Sequence, residues 1–159
     1  SLRVTTVEAM PHDCFPGEVL MPGSDSHVYF PRRGVVVGLN AEPYAGQRPS
    51  ATILFRSVAE TYGSDACGII LSGTGTDGLE GLATLRSAGA LTLAESPTAA
   101  AVADTPAAAM KSGAASRALT AQMIANCLVS AMAAMNSKTT APPSNDASLQ
   151  NLLGDLPRK

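Results

Sequence analysis

A short apolar stretch that runs into a glycine-rich turn constrains this chain more than any other feature. Residues 66–71 read ACGIIL, an apolar run typical of a buried strand. Residues 73–78 read GTGTDG, and the helical pattern LEGLATL follows over 79–85. A strand, a tight turn and a helix in this order predict half of a β-α-β unit. The turn would lie at the carboxyl end of the strand, where open α/β sheets place ligands and catalytic groups.

The rest of the pattern predicts an α/β fold: a largely parallel sheet with helices on both faces and a β-hairpin appendage. Strands are expected over 2–7, 18–21, 27–30, 34–39, 66–71, 90–94 and 117–119, with a loop over 10–17. The strands at 27–30 and 34–39 form the hairpin. Helices are expected over 51–62, 79–88, 107–111 and 121–135, with Ser50 as the N-cap of the first.

Composition indicates one domain with a polar tail. Hydrophobic residues make up 45% of the 159 residues, enough to bury a core. Residues 1–136 are predicted to form the domain, and 137–159 a disordered tail. The net charge of −2 argues against nucleic acid as a partner, and the lack of a long apolar run argues against membrane insertion. Cys14, Cys67 and Cys127 are far apart, which favours free thiols in a reducing, cytoplasmic compartment over a disulfide or metal site.

The glycine turn itself is compatible with two chemistries and one structural role. GTGTDG matches the dinucleotide fingerprint G-x-G-x-x-G, and Glu95 ends the next strand, where that fold places its ribose-binding acid. Against this, Asp77 would put a carboxylate where the pyrophosphate binds. An aspartate held by turn amides and a helix N-terminus keeps its charge and suits the orienting role in a Ser-His-Asp arrangement. The structural alternative is that Asp77 only caps the helix that starts at Gly78.

The same stretch resembles the CheB-type protein-glutamate methylesterases of bacterial chemotaxis. Residues 69–78 are similar to that family's apolar strand followed by S/T-G-x-G-x-D-G, and residues 48–59 are similar to the segment before it. Residues 22–29 resemble its P-G-x-V-Y hairpin, and 97–110 resemble a later segment. The resemblance covers most of positions 2–120 and implies the family's α/β domain without its N-terminal part.

The resemblance also implies a function and a set of site residues. The family hydrolyses methyl esters of glutamate side chains on methyl-accepting chemoreceptors, and deamidates receptor glutamines, by Ser-His-Asp acyl transfer. Asp77 would be the triad aspartate, and Gly73, Thr74 and Gly75 would form the substrate or oxyanion turn. No cofactor is implied. The implied partners are chemoreceptors and either an upstream receiver domain or the missing N-terminal half.

Two motifs of the family do not occur in this sequence. The nucleophile lies in G-x-S-x-G-G and the histidine in Q-H-x-P, and in the family both precede the part that matches here. His12, in the predicted loop, and His27, in a half-buried hairpin strand, are not assigned as the catalytic histidine. Neither Ser1, Ser72 nor any cysteine is assigned as the nucleophile. We therefore expect the missing residues upstream of Ser1 and expect the 159 residues alone to be inactive.

Two alternatives stay open on the sequence alone. Residues 104–107 read DTPA where the family usually has G-M-P-R, which favours a non-catalytic receptor-binding module with an altered pocket. The second alternative is the dinucleotide-binding domain indicated by G-x-G-x-x-G.

Overall fold

The computed structural model describes residues 3–135, which form eight strands and four α-helices. The strands are β1 (Arg3–Val7), β2 (His12–Asp13), β3 (Glu18–Pro22), β4 (His27–Arg32), β5 (Val35–Leu39), β6 (Cys67–Ile70), β7 (Leu91–Glu95) and β8 (Arg117–Leu119). The helices are α1 (Ala51–Tyr62), α2 (Leu79–Ser87), α3 (Asp104–Lys111) and α4 (Ala121–Met135). In this part of the chain, no helix has the length and apolar character needed to cross a membrane. The tail predicted over 137–159 lies outside the described residues and stays a prediction.

The predicted α/β fold is confirmed, with the strands divided among three small sheets. β6, β7 and β8 run parallel with β7 in the centre, and β1 pairs with β3 in parallel. The antiparallel sheet has the order β2-β5-β4 and contains the predicted hairpin. Three successive residues of β7 are buried: Thr92, Leu93 and Ala94. Because side chains alternate along a strand, both faces of β7 are covered.

Helices α1 and α2 approach each other closely, and this brings the glycine turn beside the start of α1. A Cβ added at Gly81 of α2 would lie 2.6 Å from the carbonyl oxygen of Thr52 in α1. A Cβ at Gly68 of β6 would lie 2.6 Å from Leu82 Cδ1, so α2 also packs directly on the strand before the turn. The turn between β6 and α2 is thereby fixed between two packed elements.

Three local predictions are wrong in detail. The loop predicted over 10–17 contains β2, which pairs with β5. β4 continues through Pro31 to Arg32, where the register with β5 is irregular, and a proline is tolerated at such an irregularity. α3 begins at Asp104, three residues earlier than predicted, so Pro106 lies in its first turn, where a helix needs no backbone N–H from it.

The carboxylate of Glu18 joins the first three strands. Its Oε1 accepts a hydrogen bond from the Thr5 hydroxyl at 2.6 Å and lies 3.0 Å from the Arg3 guanidinium. Its Oε2 accepts from His12 Nε2 at 3.1 Å and from the Phe15 amide at 3.3 Å. These donors, the Thr5 hydroxyl first and His12 second, lower the pKa of Glu18 from 4.5 to about 2. His12 therefore lies in β2, with a carboxylate partner, and not in the predicted loop.

We expect the Glu18 carboxylate to stabilise the fold above pH 4.5 and to lose this effect as the pH falls to about 2. Because its pKa is lower in the folded state, the unfolded chain takes up the proton first, and stability declines through that interval. In urea denaturation, the wild type should have a larger free energy of unfolding than Glu18→Gln above pH 4.5. This difference should disappear near pH 2. The exposed Glu8, changed to Gln, is the control and should follow the wild type. A difference that stays constant with pH would contradict this assignment.

Candidate functional site

A cleft of about 840 Å³ lies at the glycine turn that follows β6. The turn residues 72–77 line it, together with Thr52 and Phe55 of α1, Glu80 of α2 and Thr105 of α3. The turn thus connects the carboxyl end of a parallel strand to a helix, as the sequence predicts. The turn residues that line the cleft carry the hydroxyls of Ser72, Thr74 and Thr76 and one carboxylate, that of Asp77.

Asp77 binds the N-terminus of α1, which lies 27 residues before it in the chain. Its Oδ1 accepts hydrogen bonds from the Ser50 hydroxyl at 2.7 Å and the Thr52 amide at 3.2 Å. Its Oδ2 accepts from the Ala51 amide at 2.7 Å. Ser50 occupies the N-cap position but makes no side-chain cap bond, so the Asp77 carboxylate takes the place of a local cap and accepts from the first two amides of α1.

This geometry corrects two predictions about Asp77. The carboxylate is held by amides of α1 and not by those of its own turn. It also does not cap α2, whose N-cap position is Gly78, a residue with a φ of 86° and no side-chain cap bond. The positive end of a helix dipole still faces the carboxylate, but it belongs to the helix before the turn.

The turn and α1 each donate a hydrogen bond to the other. The Asp77 carboxylate still has one acceptor position open. The Gly78 amide donates to Thr52 Oγ1 at 2.9 Å, while the Thr52 amide donates to Asp77. An ionised carboxylate has about four lone-pair positions. Oδ2 of the half-buried Asp77 has one protein donor within residues 3–135, so it can accept another hydrogen bond.

The loop after β7 holds the turn from its other end. The Ser72 amide donates to Glu95 Oε2 at 2.8 Å, and the Ser72 hydroxyl accepts from the Val102 amide at 2.8 Å. The Gly73 amide donates to the Val102 carbonyl at 3.0 Å. Glu95 therefore anchors the turn through the Ser72 amide. This hydrogen bond gives a structural role to the residue that the dinucleotide interpretation assigned to ribose binding.

Thr105 of α3 is a second anchor, which sequence reasoning missed. Its amide donates to the Gly73 carbonyl and its hydroxyl to the Gly75 carbonyl, each at 3.0 Å. The sequence shows only that this position departs from the family pattern. Of the three predicted turn residues, Gly73 has its amide engaged by Val102, whereas the amides of Thr74 and Gly75 donate to no acceptor in the described part of the chain. These two exposed residues line the cleft.

Ser50, His27 and Asp77 are neighbours, but they do not form a catalytic triad. Ser50 is 2% exposed, and its hydroxyl donates to Asp77 and not to a histidine. His27 is completely buried, not half-buried as predicted, and both of its ring nitrogens contact backbone groups. The structure thus agrees with leaving His27 unassigned as the catalytic base.

The other nucleophile candidates are also poorly placed. Burial raises the pKa of the Cys67 thiol, with Cys127 adding to the effect, and burial likewise raises the pKa of Cys14. A thiol with a raised pKa carries little of the reactive thiolate. The Ser72 hydroxyl binds the loop after β7, and Ser1 lies outside the described residues. Residues 3–135 contain no cluster of three or more side chains suited to hold a metal ion.

Comparison with known proteins shows the family to which this chain belongs. The family model for CheB methylesterase matches residues 1–128. The chain belongs to the CheB methylesterase family. The resemblance stated from residues 48–78 is therefore confirmed, and this membership favours the methylesterase interpretation of the glycine turn over the dinucleotide one.

Two curated members of the CheB family show how much of a complete protein the chain represents. Protein-glutamate methylesterase/protein-glutamine glutaminase 2 of Hahella chejuensis is 34% identical over 121 residues, covering 74% of the chain and 33% of that protein. Protein-glutamate methylesterase/protein-glutamine glutaminase 3 of Anaeromyxobacter dehalogenans is 44% identical over 114 residues, covering 71% of the chain and 33% of that protein. The chain spans about a third of the length of these relatives.

A solved structure confirms the CheB fold. The crystal structure of the Thermotoga maritima CheB methylesterase catalytic domain matches with a TM-score of 0.71 and 24% sequence identity. The match covers 78% of the chain and 67% of that domain. At this identity the likeness establishes the architecture.

Proposed function

We propose that the chain supplies the aspartate of a protein-glutamate methylesterase/protein-glutamine glutaminase that acts on chemoreceptors in the cytoplasm. The observation that carries this proposal is the environment of Asp77. Three donors from residues 50–52 fix the carboxylate, and its Oδ2 can accept one more hydrogen bond. A carboxylate held in this way can bind the Nδ1–H of a histidine, select the tautomer with a free Nε2 and stabilise the imidazolium that forms during reaction.

The reaction is acyl transfer to a serine. The serine hydroxyl attacks the ester carbonyl of a methylated glutamate, and the histidine takes the hydroxyl proton and returns it to the departing methanol. Water then hydrolyses the acyl-enzyme. The Thr74 and Gly75 amides support the proposal because both residues line the cleft and neither amide has a protein acceptor within residues 3–135, so both are free to donate to an oxyanion. A glutamine side chain would follow the same course with ammonia as the leaving group.

A second cavity supports the proposal because it leaves room for a further strand beside β6. Among the described strands, β6 pairs only with β7, so one edge of β6 is open. Beside α1 and Cys67 lies a groove of about 420 Å³ that reaches Asp77. Its apolar lining includes Leu20, Val28, Phe30, Leu54 and Val58. A strand added to the open edge of β6 would bury this lining and bring its own side chains towards Asp77.

The proposal is tested by completing the domain. The part of the Thermotoga maritima catalytic domain that has no counterpart here, chosen to include G-x-S-x-G-G and Q-H-x-P, is fused before Ser1. We expect this fusion protein to release methanol from methylated chemoreceptor, and the 159 residues alone to release none. A folded fusion without hydrolysis would overturn the proposal. Receptor binding without hydrolysis would favour the non-catalytic module.

A further inference from the structure

We propose that His27 is a positioning residue for Asp77 and that it acts through the backbone amide of Ser50. The proposal deepens the function proposed above and rests on it for its catalytic consequence. It concerns a buried histidine that takes no part in the proton transfers of the reaction.

The contacts of His27 fix its tautomer and its ring orientation. The side chain is 0% exposed, and Nδ1 lies 3.1 Å from the Ser50 amide, which can only donate. Nδ1 is therefore the acceptor, and Nε2 carries the hydrogen that is donated to the Glu42 carbonyl at 3.0 Å. The imidazole is neutral in this arrangement. Flipping the ring would place carbon atoms against both backbone groups, so the two bonds lock the side chain.

Ser50 transmits this orientation to the carboxylate. Its amide donates to His27, while its hydroxyl donates to Asp77 Oδ1 at 2.7 Å. Ser50 is 2% exposed, so water cannot replace a lost acceptor for its amide. A buried N–H without an acceptor is costly, and Ser50 would move to reach a new one. The neighbouring amides of Ala51 and Thr52, which also bind Asp77, would move with it.

The first test uses amide resonances of the full 159-residue chain. Asn places its carbonyl oxygen near the position of His Nδ1, whereas Gln places it near Nε2. We therefore expect His27→Gln to shift the Ala51 and Thr52 amide protons towards their positions in Asp77→Asn, and His27→Asn to leave them near their wild-type positions. Val36→Ala shortens a completely buried side chain in the same sheet and controls for a general loss of packing. It should leave the Ala51 and Thr52 amide protons near their wild-type positions.

The outcomes of this test decide the proposal even where a variant is unstable. Unchanged Ala51 and Thr52 resonances in His27→Gln would overturn it. If His27→Gln does not fold, a shift of the same resonances in His27→Asn would overturn it, and wild-type resonances there would support it. The resonances do not depend on activity. The role of His27 can therefore fail while the proposed function stands, and the proposed function can fail while the role of His27 stands.

The second test measures hydrolysis by the fusion protein. We expect His27→Gln to lower kcat about tenfold with little change in KM, since displaced supporting groups cost activity in the reacting complex. His27→Asn should retain most of the rate. In an Asp77→Asn background, His27→Gln should cause no further loss, because its effect passes through that carboxylate. An equal fold loss in both backgrounds would show that His27 does not act through Asp77 and would overturn the proposal.

Discussion

Asp77→Ala is expected to lower the free energy of unfolding by about 2–3 kcal/mol. The substitution removes the acceptor for two amides in the first turn of α1 and for the Ser50 hydroxyl. Losing an N-cap costs about 1 kcal/mol, and hydrogen bonds to a charged group contribute more than neutral ones. Urea denaturation measures the loss. Asp77→Asn should lose less, because its amide oxygen can still accept one of these hydrogen bonds.

Asp25→Ala is the matched control for the Asp77 substitution. The Asp25 side chain is 75% exposed and pairs with Arg48 at 2.5 Å. Exposed ion pairs contribute little, so we expect a change below about 1 kcal/mol. An Asp77→Ala protein as stable as Asp25→Ala would contradict the role of Asp77 as the cap of α1.

Gly81→Ala is expected to destabilise the fold by about 3 kcal/mol, although alanine is the better helix former by about 1 kcal/mol. The new Cβ would lie 2.6 Å from the Thr52 carbonyl oxygen and 2.9 Å from Thr52 Cα. Both are backbone atoms of α1, so rotamer changes cannot relieve the overlap and the helices must separate. Thermal and urea unfolding measure the effect.

Thr84→Ala is the control for Gly81→Ala, because it introduces alanine at an exposed position of the same helix. Thr84 is exposed on α2, and alanine there should leave stability within about 0.5 kcal/mol of the wild type. Separation of the helices in Gly81→Ala should also weaken the contacts of Thr52 with Gly78 and Asp77. A Gly81→Ala protein at least as stable as the wild type would refute the close packing of α1 on α2.

Much of the site's location could be predicted from residues 66–85, because strand, turn and helix are local patterns. The apolar run, the glycines and the helical repeat lie next to one another, and β6, the turn and α2 follow in that order. The hairpin of β4 and β5 was predictable for the same reason. Family motifs within the turn then singled out Asp77 as the functional aspartate, which stays a proposal.

The partners of Asp77 could not be predicted, since they depend on how distant elements pack. The carboxylate binds residues 50–52, and nothing local in the sequence indicates that α1 begins beside the turn. Thr105 was noticed only as a departure from the family, and its hydroxyl gave no sign of binding the Gly75 carbonyl. His12 and Glu18 are six residues apart, yet their contact requires β2, a strand of two residues inside a predicted loop.

Hydrolysis by the fusion protein with and without the carboxylate of Asp77 tests the central claim most directly. The measurement is the rate of methanol release from methylated chemoreceptor by the wild-type fusion and by Asp77→Asn. We expect kcat to fall by about 10⁴, the loss seen in serine proteases when the orienting aspartate becomes asparagine, while the fusion stays folded. Equal rates from the two folded proteins would contradict the account of Asp77 as the orienting carboxylate.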